Sequence, residues 1–79
     1  MTNEFVQFIT YVKENLIKNE KFYLSGTVNE IRIAKSLSDT LFIFKSDFSV
    51  SIVDDSKEVL IIDKLDLARL KQLFSILFL

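Results

Sequence analysis

Apolar side chains near the start of the chain recur with the period of an α-helix. In residues 3–19 one arc of a helical wheel holds the large apolar side chains Phe5, Phe8, Ile9, Val12 and Leu16. An apolar stripe of this width, opposite a polar face, is typical of a helix packed on a core. Val6 and Ile17 share a second direction. They either widen the core face or form a small exposed patch.

The end of the chain repeats this helical pattern. Asp63 is predicted to cap a helix that runs to the end of the chain, with Asp66 in its first turn. Its core arc consists of Leu67, Leu70, Leu73, Phe74, Leu77 and Phe78. Leu65, Ile76 and Leu79 fall outside both the core arc and the polar arc. The helix therefore has more apolar surface than one sheet face requires.

Between the helices, residues 21–34 have the alternation of a strand, but their apolar side chains change face midway. A simple strand does not move its apolar set to the other face, so the segment is predicted to be a hairpin or one strand bent at a bulge. Gly26 and Asn29 are the natural places for either. Residues 41–44, "LFIF", are apolar on both faces, which predicts a central strand.

Two further strands are predicted after this segment. Residues 48–53 alternate, with Phe48, Val50 and Ile52 inward and Ser49 and Ser51 outward. Residues 58–63, "EVLIID", form a strand with little alternation. The short links at 45–47 and 54–57 favour antiparallel neighbours, because parallel pairing needs a long crossover.

This order of elements predicts an α+β fold. We expect residues 1–79 to form a single α-β-β-β(-β)-α domain with an N-terminal helix, a three- to four-stranded antiparallel sheet and a C-terminal helix. Both helices are predicted to pack on one sheet face, since that arrangement buries both apolar stripes economically.

Composition argues against most catalytic chemistry. The chain has no His and no Cys, so the commonest general base, the thiolate nucleophile and the commonest metal ligands are absent. Asp54 and Asp55 are the best candidates for a hard cation, but "DDSKE" lacks the ligand spacing and the glycine of a calcium loop. A solvated turn is the favoured interpretation. We expect no catalytic residues, no metal site and no cofactor.

Charge argues against nucleic acid as the partner. Ten basic side chains nearly balance eleven acidic ones, whereas a nucleic-acid binder of this size normally has a clear cationic excess. Bases could stack on sheet aromatics if Tyr23, Arg32 and Lys45 joined exposed rings, but core packing is the stronger explanation for the phenylalanines.

Membrane insertion and secretion are not expected either. The apolar ending "LKQLFSILFL" is too short to span a bilayer, and Arg69 and Lys71 interrupt the apolar run. The N-terminus lacks the features of a signal peptide, and a chain without disulfides fits a reducing cytoplasm. Abundant Phe, Ile, Leu, Lys and Asn with few Ala and Arg suggest an AT-rich coding genome.

We therefore expect a small non-enzymatic protein-binding module in the cytoplasm, such as a phage or mobile-element inhibitor or regulator of a host protein. The candidate partner-binding residues are the apolar positions beyond what the core requires, Leu65, Ile76, Leu79, Val6 and Ile17. The alternatives are a homodimeric structural protein that associates through the C-terminal helix and a small nucleic-acid-binding regulator.

Overall fold

A computed structural model describes residues 3–16, 22–26, 29–35 and 39–79. The elements in chain order are α1 (Asn3–Leu16), β1 (Phe22–Gly26), β2 (Glu30–Lys35), β3 (Thr40–Lys45), β4 (Val50–Asp54), β5 (Lys57–Ile62) and α2 (Leu67–Phe78). The five strands of these ranges form one sheet in the order β1-β2-β3-β4-β5, and every neighbouring pair is antiparallel.

The predicted α+β fold is confirmed, and the sheet has one strand more than the three to four expected. The additional strand comes from the first strand-like segment, which is a hairpin and not one bent strand. Gly26 pairs with Ile31 and Phe22 with Lys35, so the chain reverses between β1 and β2. The reversal accounts for the change of face in the apolar pattern. The "LFIF" segment lies in β3 at the centre of the sheet, as predicted.

Both helices pack on the same face of this sheet, as predicted. The ring of Phe44 in β3 is fully buried, and its centroid lies 5.2 Å from that of Phe8 in α1 and 6.3 Å from that of Phe74 in α2. Phe8 and Phe74 also meet edge to face at 6.2 Å. One residue of the central strand therefore contacts both helices, and the aromatic rings form the middle of the core.

The start of α2 differs from the prediction. The helix begins at Leu67, and its cap is Asp66, whose carboxylate oxygen Oδ1 accepts the Arg69 N–H at 2.8 Å. Lys64 has a positive φ of 57°, a conformation that does not continue into a helix. The Leu65 N–H donates to the Phe48 carbonyl at 3.1 Å, so a hydrogen bond connects the β5–α2 loop to the β3–β4 hairpin. Asp63 as the cap is therefore wrong.

This capping arrangement predicts a difference between two aspartates. Asp66→Ala should lower the free energy of unfolding by about 1 kcal/mol, because the side chain that accepts a first-turn N–H is lost. Asp63→Ala, the matched control three residues earlier, should change it by less than about 0.5 kcal/mol, as is usual at an exposed position. Urea unfolding of both variants measures the difference. A larger loss at Asp63 would restore it as the cap.

Two serines predicted to face outward are buried. Ser49 and Ser51 flank Val50 and are directed to the side of the sheet opposite to it, as predicted. Hardly any of either side chain is exposed, however. The Ser49 hydroxyl donates to Asp47 Oδ1, and the Ser51 hydroxyl donates to Glu58 Oε1 at 3.0 Å. Each hydroxyl is buried with a hydrogen-bond partner, which removes most of the cost of burying it.

Phe48 also differs from its predicted place in a strand. It lies in the β3–β4 hairpin with a φ of 62°, and its N–H donates to the Lys45 carbonyl at 3.0 Å. This is the left-handed position of a hairpin loop, where glycine is the usual residue. The side chain is nevertheless directed to the core side, because its ring meets that of Phe5 edge to face at 6.4 Å. The inward prediction for Phe48 therefore holds without the strand.

Candidate protein-binding surface

The last strand, β5, lies at an edge of the sheet. Within the described ranges it pairs with β4 and with no other strand. An edge strand presents a row of backbone N–H and C=O groups that another strand can pair with. Natural proteins usually protect such an edge with charged side chains, proline or a bulge.

The middle of β5 is apolar and exposed. Val59, Leu60 and Ile61 are 59%, 51% and 54% exposed, although they follow one another in the same strand. We call these three residues the β5 patch. Single exposed apolar side chains are ordinary on protein surfaces, whereas a contiguous group at an unpaired strand edge is typical of an interaction site.

The β5 patch is exposed on both faces of the sheet. Leu60 pairs with Ile52 on the face that the helices cover, and Ile61 pairs with Ser51 on the opposite face. Val59 is the additional residue of a bulge, where the register shifts between Ile52 and Val53. The bulge protects the beginning of the strand by disturbing its pairing, but Leu60 and the two residues after it continue in regular register.

The face of the sheet opposite the helices carries further apolar side chains beside the patch. Ala34, Leu41 and Val53 share this face by their register, and so do Ile43 and Ile61. In the described part of the chain, no helix packs on it. Its polar margin includes the ion pair between Arg32 and Glu30, whose Nη2 and Oε1 atoms are 3.1 Å apart. Ala34 and Ile43 are buried, and Ser51, the residue that pairs with Ile61 on this face, is buried as well. The exposed apolar surface of this region is therefore that of the β5 patch.

The structure leaves Ile76 and Leu79 exposed, at 72% and 62%. The Ser75 hydroxyl is hydrogen bonded to the Tyr11 hydroxyl at 2.9 Å, and Lys71 Nζ lies 5.3 Å from the centroid of the Tyr11 ring. These two α2 residues therefore face α1. At 100° per residue, Ile76 lies about 120° around the helix from them, on the side of α2 away from α1.

The other predicted contact residues are placed differently. Val6 is exposed on the side of α1 away from α2, because it lies about 140° around the helix from Tyr11. It is thus separated from Ile76 by the whole width of the helix pair. Leu65 precedes α2 and is half-buried against the core. Ile17 lies outside the described residues. Val6, Leu65 and Ile76, which the structure does describe, therefore do not lie on one continuous surface.

The β5 patch is not among the contact residues predicted from the sequence, although the sequence contains a signal for it. The absence of alternation in "EVLIID" is typical of a strand covered on both faces. The connections, however, are short from one strand to the next, and sequential strands with short links usually lie side by side. The last strand of such a series lies at an edge. An apolar strand at the end of a series of hairpins therefore predicts exposed apolar side chains.

The described residues offer little other chemistry. They contain no group of three or more Asp or Glu side chains placed to hold a metal ion. Asp54 and Asp55 lie where β4 turns into β5, and Asp55 and Ser56 have φ values of 51° and 64°. Two consecutive positive φ angles are typical of a type I′ hairpin turn. The pair is explained by the turn.

The arrangement that base stacking would require is not present on the central strands. Phe42 and Phe44 face the helices, and their rings lie 5.1 Å and 6.4 Å from that of Phe78. Arg32 and Lys45 lie on the opposite face by their register. These cations and aromatic rings are therefore on different sides of the sheet, whereas a stacking platform needs them together.

Neither helix of the described ranges has the length and apolar content needed to cross a bilayer. Comparison of the chain with protein-family models, with curated proteins and with solved structures finds no match in any of the three.

Proposed function

We propose that this chain is a small non-enzymatic protein-binding module and that the β5 patch is its contact surface. The observation that carries the proposal is the exposure of Val59, Leu60 and Ile61 on a strand whose outer edge has no neighbour in the described ranges. Addition of a partner strand to such an edge is a common mode of peptide and protein recognition.

The two parts of this surface contribute in different ways. Backbone hydrogen bonds along β5 orient an added strand, and the apolar side chains supply most of the favourable free energy when water is removed from them. Complete burial of an aliphatic side chain contributes about 1.5–3 kcal/mol, so three half-exposed ones contribute on the order of 2–4 kcal/mol together. This free energy by itself supports only weak binding, so we expect contacts outside the β5 patch to add to it.

The proposal includes the kind of partner that the module binds. We propose a host protein that the module inhibits or regulates, in a phage or mobile-element setting. The amino-acid composition, which suggests an AT-rich coding genome, supports this setting, and the lack of His and Cys supports a role without catalysis. Nearly balanced charge favours a protein over a nucleic acid.

A matched pair of valine substitutions tests the contact surface. Val59→Lys places a charge in the β5 patch, and Val6→Lys places the same charge at an exposed position on the far side of α1. Lysine suits both an exposed helix and an edge strand, so both variants should fold. In affinity capture from the native host followed by mass spectrometry, we expect Val59→Lys to retain at least about tenfold less partner than wild type, with no loss for Val6→Lys.

The opposite result would move or remove the proposed surface. Loss with Val6→Lys and retention with Val59→Lys would place the contact on α1. Capture of the same proteins by all three forms would show that the β5 patch binds none of them. Circular dichroism of each variant separates a loss of contact from a loss of fold.

A further inference from the structure

We propose that the strand that pairs with β5 belongs to another protein and carries a Lys or Arg directly before and directly after three consecutive apolar residues. This inference rests on the proposed function, since it specifies the chemistry of the partner of that same surface. The charges beside the β5 patch, on the face of the sheet opposite the helices, favour such a partner.

Glu58 provides one carboxylate on this face. It pairs with Val53, and Ile61 pairs with Ser51, so Glu58 and Ile61 both lie opposite the helices. The Ser51 hydroxyl donates to Glu58 Oε1 at 3.0 Å, which agrees with this placement. The bulge at Val59 is the cause, because without its additional residue Glu58 would lie on the helix side.

Asp63 provides a second carboxylate on the same face. It follows β5 directly, and strand alternation places it on the side of Ile61. Lys64 has a positive φ of 57°, so the strand conformation ends there. Among the described residues, the one ion pair joins Arg32 and Glu30, so neither carboxylate beside Ile61 is paired with a cation.

The nearest cations of the sheet do not neutralise these carboxylates. Lys57 pairs with Asp54 on the helix side. Lys45 and Arg32 do share the face of the carboxylates, but they lie on β3 and β2, beside Glu30. β3 is two strands from β5, about 10 Å, whereas salt at physiological concentration screens charges over about 8 Å. A partner at the β5 edge therefore meets anionic side chains on this face.

An added strand directs its side chains to the same two faces of the sheet. The residue opposite Ile61 and the residues two positions before and after it share the carboxylate face, so the outer two come beside Asp63 and Glu58. The residues between them face the helix side, beside Leu60 and Ile62. Apolar residues suit the three central positions, and Lys or Arg suits the outer two, because opposite charges across strands are favourable. The pattern is the same in both chain directions.

A second copy of this chain does not have this pattern. In an antiparallel pair centred on Ile61, Asp63 of one copy lies opposite Val59 of the other, directly beside Glu58. A parallel pair in register sets each carboxylate beside the same carboxylate of the other copy. Like charges at these positions are destabilising. The charges therefore favour a strand from a different protein.

A titration of the isotope-labelled protein with synthetic peptides, followed by nuclear magnetic resonance, tests this pattern. The probes have the central sequences Lys-Val-Ile-Val-Lys, Glu-Val-Ile-Val-Glu and Lys-Lys-Val-Ile-Val, each flanked by serines. The third has the charge of the first in another arrangement, which controls for general attraction. We expect the first peptide to shift the amide signals of residues 57–63 and to bind at least about fivefold more tightly than the acidic one, with the rearranged peptide in between.

A matched pair of charge variants locates the preference. Asp63→Lys is the test variant because Asp63, unlike Glu58, is not the acceptor of the buried Ser51 hydroxyl. Its preference for the basic over the acidic peptide should fall to near one. Glu14→Lys makes the same charge change at an exposed position on α1 and should keep the wild-type preference.

Equal binding of the basic and acidic peptides to wild type, or an unchanged preference in Asp63→Lys, would overturn this inference. Shifts of the amide signals of residues 57–63 on dilution of the protein alone would assign the edge to a second copy and would overturn it as well. In each case the proposed function stands if Val59→Lys still loses a captured protein. If β5 binds neither a peptide nor a captured protein, both proposals are wrong.

Discussion

Phe74→Ala is expected to lower the free energy of unfolding by about 3 kcal/mol or more, because it removes the ring on which the two helices and the sheet converge. Phe74 is completely buried, and its ring lies within 6.3 Å of those of Phe8, Tyr11, Phe44 and Phe78. The stability of a domain of this length is about 4–12 kcal/mol, so the loss is a large share of the whole.

Thermal and urea unfolding of the variant measure this effect. A fall in Tm of roughly 12 °C or more corresponds to a loss of this size in a small domain. Ile76→Ala is the matched control on the same helix. Its side chain is largely exposed, so we expect a change below about 0.5 kcal/mol. A near-zero effect at Phe74 would place that side of α2 at the surface and reverse the packing described above.

A second large difference is expected between two isoleucines of the same sheet. Ile33 in β2 is completely buried beneath the helices, and Ile61 in β5 is more than half exposed on the opposite face. Ile33→Ala should lower the free energy of unfolding by about 2–5 kcal/mol, since it leaves a cavity in the core. Ile61→Ala should cost less than about 1 kcal/mol, mostly through lower strand propensity.

Urea unfolding of both variants at low micromolar concentration provides the comparison, because dilution removes any contribution from self-association. Equal losses would contradict the exposure of β5 and, with it, the proposed contact surface. A small loss of unfolding free energy for Ile61→Ala, together with weaker partner capture, would show that this side chain belongs to a contact surface and not to the core.

The core of the helices follows directly from the sequence. Phe5, Phe8 and Val12 are fully buried, as their shared arc predicts, and so are Leu70 and Phe74. This agreement has a physical reason. The helical period determines which side chains share a face, and an apolar face must be covered.

The details at the ends of elements follow less well. Asp63 and Asp66 both suit a helix cap, and the choice depends on the left-handed backbone of Lys64 and on the hydrogen bond from Leu65 to the β3–β4 hairpin. Ser49 and Ser51 alternate as outward residues do, but their burial depends on hydrogen bonds to carboxylates. The alternation pattern shows which side chains share a face of one strand, but it does not show which serine and which carboxylate form a hydrogen bond.

The sequence by itself determines the α+β class, the helix faces that enter the core, the antiparallel hairpins and the lack of His and Cys, because periodicity, short links and composition are local properties. Only the tertiary structure decides which apolar residues remain exposed, because exposure depends on what lies beside each strand. It places β5 at the sheet edge, separates Val6 from Ile76 and packs Leu65 against the core. For this reason we propose Val59, Leu60 and Ile61, and not the helix residues, as the contact surface.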